Sequence, residues 1–344
     1  MVKKYFIFLF IVLLCLTGCS NYNVNNIKGE FKKNVNSSKS YKLDGIMEIN
    51  NGEETFTYSL EVNYLKDDFY KVILVNQINN HEQVILKNKD GLYVVTPSLN
   101  KSFKFDSIWP ENSSQAYLLK NILDDMMNDN NAIMEENDNK YIVKCKVNYP
   151  NNEDLLYQKI YFDKNVNVEK VEVYDRDNNI KIKVKFKNVN LKARLHDDDF
   201  KLEDLIDNTI INDSEDCVGE ECDNKVMSSL DEIIYPLYIP NNTHLTSSEQ
   251  VDSENGGRVI LTFNGDKNFV IVEEISKISN EFEVIPVFGE PLIFNESVGA
   301  ISPNSISWNA SNISYYLVGN DLSSSEMVNI ASSLGYSKTT LLKK

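Results

Sequence analysis

Two neighbouring stretches of strict alternation constrain this chain more than any other feature. Tyr41, Leu43, Gly45, Met47 and Ile49 interleave with polar residues, and Phe56, Tyr58, Leu60, Val62 and Tyr64 interleave with Thr57, Ser59, Glu61 and Asn63. A period of two sends one set of side chains to a covered face and the other to water, the pattern of antiparallel strands with one buried side. Asn50-Asn51-Gly52-Glu53 supplies a hairpin turn between them, since Asn-Gly readily reaches positive φ. Shorter strands are predicted over 70–77, 82–87, 92–96 and 102–105, which together make an antiparallel meander.

The meander breaks at Trp109-Pro110-Glu111-Asn112-Ser113-Ser114. Tyr117, Leu118, Leu119, Ile122, Leu123, Met126 and Met127 then recur at helical spacing, predicting a helix from Gln115 to Asp129 capped by Ser113 or Ser114. Strands resume near Tyr141, Tyr157 and Val168, and the alternation is cleanest at Ile180, Ile182, Val184 and Phe186. Lys181, Lys183, Lys185 and Lys187 fall between them, so all four ammonium groups share one side of the sheet. That face is suited to dock an acidic partner or to steer the protein against a membrane; it is equally the pattern of a solvated strand face. The apolar side of the same sheet, closed by the 115–129 helix, reads as an ordinary core or as a pocket for a hydrophobic ligand such as an acyl chain.

The amino terminus follows different rules. Lys3 and Lys4 precede an apolar run from Tyr5 to Leu16, about a dozen residues and too short for a helix across a bilayer of roughly 30 Å. Leu16, Thr17, Gly18 and Cys19 then form a lipobox, so residues 1–18 read as a lipoprotein signal peptide and Cys19 as the site of a diacylglyceryl anchor. Residues 19–40 make the tether and a first helix, with Ile27, Phe31 and Val35 four apart. The expected location is the outer face of a cytoplasmic-type membrane, with a body that is otherwise soluble.

The formal charge of −16 grows more negative once Lys3 and Lys4 leave, which disfavours nucleic acid as a partner. Between Asp207 and Ser229 the composition turns to Asn, Asp, Glu and Ser, so 207–229 is assigned as an acidic linker between a β domain over 41–206 and a small α+β domain over 230–344. Cys217 and Cys222 in that linker are the candidate disulfide, whereas Cys145 alternates with polar neighbours as a small core residue of a strand. Ser323 and Glu326 fit a capping box ahead of Met327, Ile330, Ala331 and Leu334, with Gly335 as the stop.

Local catalytic signatures are missing. The three histidines, His81, His196 and His244, lie far apart, and there is no H-E-x-x-H, G-x-S-x-G or phosphate-cradling glycine loop. His196-Asp197-Asp198-Asp199 reads as a solvated loop rather than a cation site. The chain is therefore expected to be no enzyme and to hold neither cofactor nor metal.

The run Gln83-Val84-Ile85-Leu86-Lys87-Asn88, the string from Gly91 through Thr96-Pro97 and Asn100-Lys101-Ser102-Phe103-Lys104-Phe105, and Trp109-Pro110-Glu111-Asn112-Ser113-Ser114-Gln115-Ala116-Tyr117-Leu118-Leu119 resemble the spore-former lipoproteins of the GerS and YdcC type. These belong to the wider superfamily of the lipoprotein carriers LolA and LolB, and the resemblance covers roughly residues 27–202. It implies a mainly β chain: a LolA-like curved antiparallel half-barrel capped by helices, followed here by a small α+β C-terminal domain. It also implies a non-enzymatic lipoprotein of sporulation or germination, similar to GerS-type proteins that bind and activate the cortex-modifying N-acetylmuramoyl-L-alanine amidase, and located at the forespore envelope. The alternative it leaves open is a carrier or sensor of acylated ligands. The C-terminal part and the acidic linker depart from the shorter GerS proteins. Open edges of a half-barrel also allow a homodimer.

Overall fold

The computed structural model describes residues 22–205, 230, 233–252, 257–276, 278–279, 281–310 and 312–334. Leu16, Thr17, Gly18 and Cys19, the pair Cys217 and Cys222, and Gly335 lie outside the described residues.

Helix α1 (Val24–Ser37) opens on a capping box in which Asn23 and Asn26 exchange side-chain and backbone bonds. Its buried Ile27, Phe31 and Val35 hold it on the sheet that follows. β1 (Ser40–Asn50) and β2 (Thr55–Leu65) pair in unbroken register from Ser40↔Leu65 to Asn50↔Thr55. The alternating residues fall as their period requires: Tyr41, Leu43 and Met47 and, opposite them, Tyr58, Leu60 and Val62 are buried. β3 (Phe69–Asn76), β4 (Glu82–Asn88), β5 (Gly91–Thr96) and β6 (Lys101–Phe105) complete the meander.

On the other side of β1 the sheet continues through β11 (Ile180–Asn190), β10 (Val168–Asp175), β9 (Leu155–Phe162), β8 (Lys140–Lys146) and β7 (Ile133–Asn137). The β1 to β11 junction closes over a bulge between Asp44 and Gly45, where a Cβ on residue 45 would stand 2.6 Å from the Lys185 carbonyl oxygen. Glycine is needed there because backbone, rather than a yielding side chain, occupies the space.

The concave face of this sheet is filled. Trp109, Leu118, Ile122 and Met126 join the α1 stripe and the inner strand residues in one apolar cluster, with Phe31 edge-on to Phe162 at 5.1 Å and Tyr70 edge-on to Trp109 at 5.8 Å. The second helix departs from the sequence expectation. α2 spans Leu119–Asn128, its N-cap Leu118 makes no side-chain bond, and neither Ser113 nor Ser114 caps it. Ser114 is engaged elsewhere, because its hydroxyl donates to Asp125 Oδ1 at 2.8 Å and accepts the Asn148 N–H at 2.7 Å. Asn121 Nδ2 donates to the Pro110 and Ser113 carbonyls, so residues 110–114 form a turn bound to the side of the helix rather than its first turn. Cys145 is a buried strand residue, as its alternation indicates, and burial pushes its thiol up to about 12.

The C-terminal part contributes to both sheets. β12 (Thr243–Val251), β13 (Arg258–Gly265), β14 (Phe269–Ile275), β16 (Glu290–Phe294), β17 (Ser297–Ser302), β18 (Ser305–Ala310) and β19 (Ile313–Val318) form an antiparallel sheet in the order β12-β13-β14-β19-β18-β17-β16. α3 (Ser324–Ser332), started by the Ser323/Glu326 capping box, lays Met327, Ile330 and Ala331 on it. β15 (Glu283–Val287) leaves this unit and pairs in parallel with β6, extending the large sheet. Glu283 N–H bonds the Asn100 carbonyl, so by alternation Pro286 turns its missing N–H to the free side, which blunts that edge. The mainly β architecture, a curved antiparallel sheet closed by helices and followed by an α+β unit, is the one the sequence implies.

Candidate functional site

The convex face of the large sheet carries a surface that four adjacent strands build together. On β11 the lysines alternate outward as expected: Lys185 and Lys187 are exposed, while Lys181 and Lys183 are half-buried by their neighbours. Register brings further side chains beside them. Lys185 lies opposite Lys170 and Lys183 opposite Glu172 on β10; Lys170, Glu172 and Tyr174 lie opposite Tyr161, Lys159 and Tyr157 on β9; and Lys159 lies opposite Lys144 on β8. On the other side, Lys183 meets Glu48 of β1 in an ion pair of 2.9 Å.

Lysine and tyrosine interleave across this face. Lys170 sits 3.7 Å from the ring centre of Tyr161, Lys144 3.9 Å from that of Tyr157 and Lys159 5.3 Å from that of Tyr174, while Tyr157 and Tyr174 stack at 4.8 Å. Each ring holds an ammonium without neutralising it. Glu172 is the anionic hub: Lys170 Nζ at 2.7 Å and the hydroxyls of Tyr161 at 2.7 Å and Tyr174 at 2.8 Å all donate to it. Burial opposes its ionisation, yet those three donors outweigh burial and keep its carboxyl below the usual range. Its negative charge raises both tyrosines, Tyr161 to about 12, after burial as the larger cause. The result is a positively charged, aromatic surface held in fixed geometry on an acidic protein.

A second feature lies at the hairpin end of the sheet, where the two sheets meet. Gln83 receives the Val298 N–H at 2.6 Å, the Tyr58 hydroxyl donates to the Asn295 carbonyl, and Asn295 Nδ2 donates to the Ser332 carbonyl at 2.7 Å. The Asn295–Ser332 bond lies at a cleft of about 240 Å³ whose apolar walls include Met47, Ile49, Tyr149, Leu155, Leu292 and Phe294 and which Lys181 also lines. Nearby, burial pushes Asp125 up to about 7 against the bonds it accepts from Ser114 and Gln158.

Among the described residues no group of three His, Cys, Asp or Glu side chains is placed to hold a metal ion. His196 and Asp199 instead cap a short turn at 197–200, and Asp198 pairs with Lys201 at 2.7 Å. No described helix is long and apolar enough to cross a membrane. The structure thus keeps Lys181, Lys183, Lys185 and Lys187 on one face and adds Lys144, Lys159 and Lys170 with Tyr157, Tyr161 and Tyr174. Apart from Lys144 on β8, the signal for those was present in Leu155–Phe162 and Val168–Asp175, where lysine and tyrosine take alternate positions, but their union with β11 depends on strand register.

The sporulation protein YdcC-like family matches residues 2–200. Over 348 aligned residues the chain is 32% identical to sporulation protein YdcC of Bacillus subtilis (strain 168), covering 97% of each. Among solved structures it is similar to MucB, with a TM-score of 0.34 and 11% identity over 90% of this chain and 97% of that one. It is also similar to a chain of the complex between the CwlD amidase of Clostridioides difficile and the GerS lipoprotein, with a TM-score of 0.30 and 16% identity over 48% of this chain and 93% of that one.

Proposed function

The chain belongs to the sporulation protein YdcC-like family, and on that premise we propose that it is a non-catalytic binding lipoprotein of sporulation, anchored through Cys19 to the outer face of the membrane at the forespore envelope. Its partner is a cortex-modifying N-acetylmuramoyl-L-alanine amidase, the partner that the GerS-like strings between Gln83 and Leu119 bring with them, and the docking surface is the lysine-tyrosine face of β8 to β11. The observation that carries the docking surface is the geometry of that face: ammonium groups fixed over tyrosine rings at 3.7 to 5.3 Å on a chain of net charge −16. A positive patch on an acidic body selects an acidic partner surface and speeds encounter with it.

The test is a titration of the purified mature chain against the cortex amidase of the same cell, reading complex formation and amidase turnover. Reversing Lys181, Lys183, Lys185 and Lys187 to Glu should abolish both effects while the thermal midpoint moves little. Binding that survives the reversal refutes this docking face.

A second reading, a carrier or sensor of acylated ligands, is favoured by the cleft at the junction of the sheets with its apolar walls. Because α1, α2 and Trp109 fill most of the concave face, a ligand would enter at that cleft, whose walls Met47, Trp109 and Tyr117 share with the apolar core. Extraction of the native lipoprotein with organic solvent distinguishes the two readings: a stoichiometric lipid beyond the anchor supports the carrier.

A further inference from the structure

The cleft at the junction of the two sheets is bordered by the edge of a strand. β16 is the last strand of its sheet and pairs with β17 alone. All of its residues, Glu290 to Phe294, line the cleft. A strand that offered the cleft one of its faces would contribute only alternate residues, so it is the edge that is presented. Register shows which backbone groups stand on that edge. Val298 donates its N–H to Gln83 at 2.6 Å and accepts the Gln83 amide on its carbonyl at 3.4 Å, so the pair Ile293↔Val298 exchanges no ladder bonds. Ile293 therefore turns its own N–H and C=O away from β17, and by the same alternation the Pro291 carbonyl points outward. Among the described residues these groups have no hydrogen-bond partner.

The other walls add amides without partners. The side chains of Gln115, Asn151 and Asn152 line the cleft half-buried and make no hydrogen bond among the described residues, and the buried Asn112 Oδ1 is likewise unpaired. A primary amide carries a donor and an acceptor as a peptide group does, so a peptide backbone satisfies it on both atoms. A bare acyl chain satisfies none of these groups, and covering them with it costs free energy. The apolar part of the cleft, about 240 Å³, falls below the roughly 300 Å³ at which ordinary small-molecule sites begin, which suits a side chain better than a whole ligand. Charge around the mouth is one-sided. Glu53, Glu54, Glu111 and Glu153 are exposed on the loops that line it, and Glu290 is in the wall itself. Against them stand Lys181 and Arg176, the latter paired with Asp154 at 3.3 Å.

We infer that the cleft is a strand-addition site for an extended peptide segment of a partner protein: its backbone pairs with the free edge of β16 and with the amides, one apolar side chain enters the apolar walls, and basic residues flank it. Pro291 withholds one N–H, so the added strand pairs through the Ile293 N–H and the Ile293 and Pro291 carbonyls. The acids around the mouth favour the basic flanks. This site lies apart from the convex docking face and is tested without the amidase, so each of the two stands or falls alone.

The test uses the full mature chain and a pool of synthetic heptapeptides with a central leucine and with lysine, valine or threonine at the other positions. Peptides retained by the protein are titrated singly while amide hydrogen exchange is read residue by residue. In the free chain the Ile293 N–H should exchange fast, and with peptide bound it should slow by at least about tenfold. Replacing the lysines of a retained peptide by glutamate should weaken binding by at least about tenfold, and N-methylation of its backbone, which keeps every side chain, should abolish it. Ile293→Pro removes an edge N–H that no neighbouring strand uses and should weaken binding at a similar thermal midpoint; should that variant fail to fold, Gln115→Ala reports the amide contacts instead. No retained peptide, binding indifferent to N-methylation, or an Ile293 N–H already slow in the free chain overturns the inference. Dodecanoate binding where no peptide binds also overturns it and gives the cleft to an acyl chain.

Discussion

The concave and convex faces of the large sheet are built by the same strands, residue by residue in turn, and have opposite physical characters. Inward positions such as Leu43, Leu60, Val62, Val171 and Val184 are buried against α1, α2 and Trp109, where each side chain gains from burial and close packing. Outward positions such as Lys144, Lys159, Lys170 and Lys185 leave their charges in water and are organised by tyrosine rings and by Glu48 and Glu172. Surface pairs of this kind contribute little to stability. One alternating sequence thus assigns stability to one side and leaves the other free to specify recognition.

That division breaks most readily at Trp109. It is 1% exposed and packs edge-on to Tyr70, so Trp109→Ala should cost about 3–5 kcal/mol of unfolding free energy in a denaturant titration. A loss under about 1 kcal/mol would mean that α2 and the turn before it do not close the concave face.

Gly45 connects the two faces through the backbone. A methyl there meets the Lys185 carbonyl at 2.6 Å, so Gly45→Ala should destabilise by about 1–3 kcal/mol and should also weaken partner binding by displacing β11. Lost stability with unchanged binding would uncouple β11 from recognition.

Protonation of the two carboxyls that burial raises gives an effect with a definite sign. Burial raises Asp125 to about 7, and it raises Glu273 likewise, against the Ile234 N–H that Glu273 accepts at 3.2 Å. Each folded-state value lies above the unfolded one near 4, so the folded chain holds more protons between about pH 4 and 7. Stability should therefore be greatest near pH 4 and decline as pH rises to about 7, other groups being equal. Asp125→Asn should flatten that decline in thermal midpoints taken across the range; an unchanged slope would show that Asp125 is ionised in the fold.

The smallest effect is expected at Lys185 and Lys187. Both are exposed on the convex face, and their reversal to Glu should shift stability by no more than about 0.5 kcal/mol. A larger loss would place these lysines among the stabilising groups and blur the contrast between the faces.

Much of this contrast was legible in the sequence, because a period of two is local. Tyr41 to Tyr64, Cys145 and the lysines of β11 fall where alternation puts them, and Ser323 with Glu326 caps α3 as its spacing requires. The start of α2 was not legible: Ser113 and Ser114 look like caps, and only the half-buried Asp125, eleven residues on from Ser114, shows why Ser114 is held elsewhere. Nor was β15, a short strand with Pro286 in it and no clean alternation, whose place beside β6 is decided by long-range packing. The tyrosines over Lys144, Lys159 and Lys170 required strand register, which single strands do not encode.

The most direct test of the account is the dissociation constant between the mature chain and the cortex amidase, measured for the native sequence and for the variant with Lys181, Lys183, Lys185 and Lys187 reversed to Glu. The account predicts a stable complex with the native chain and none with the variant, at similar thermal midpoints for both proteins. Equal affinity of the two, or no complex with either, contradicts it.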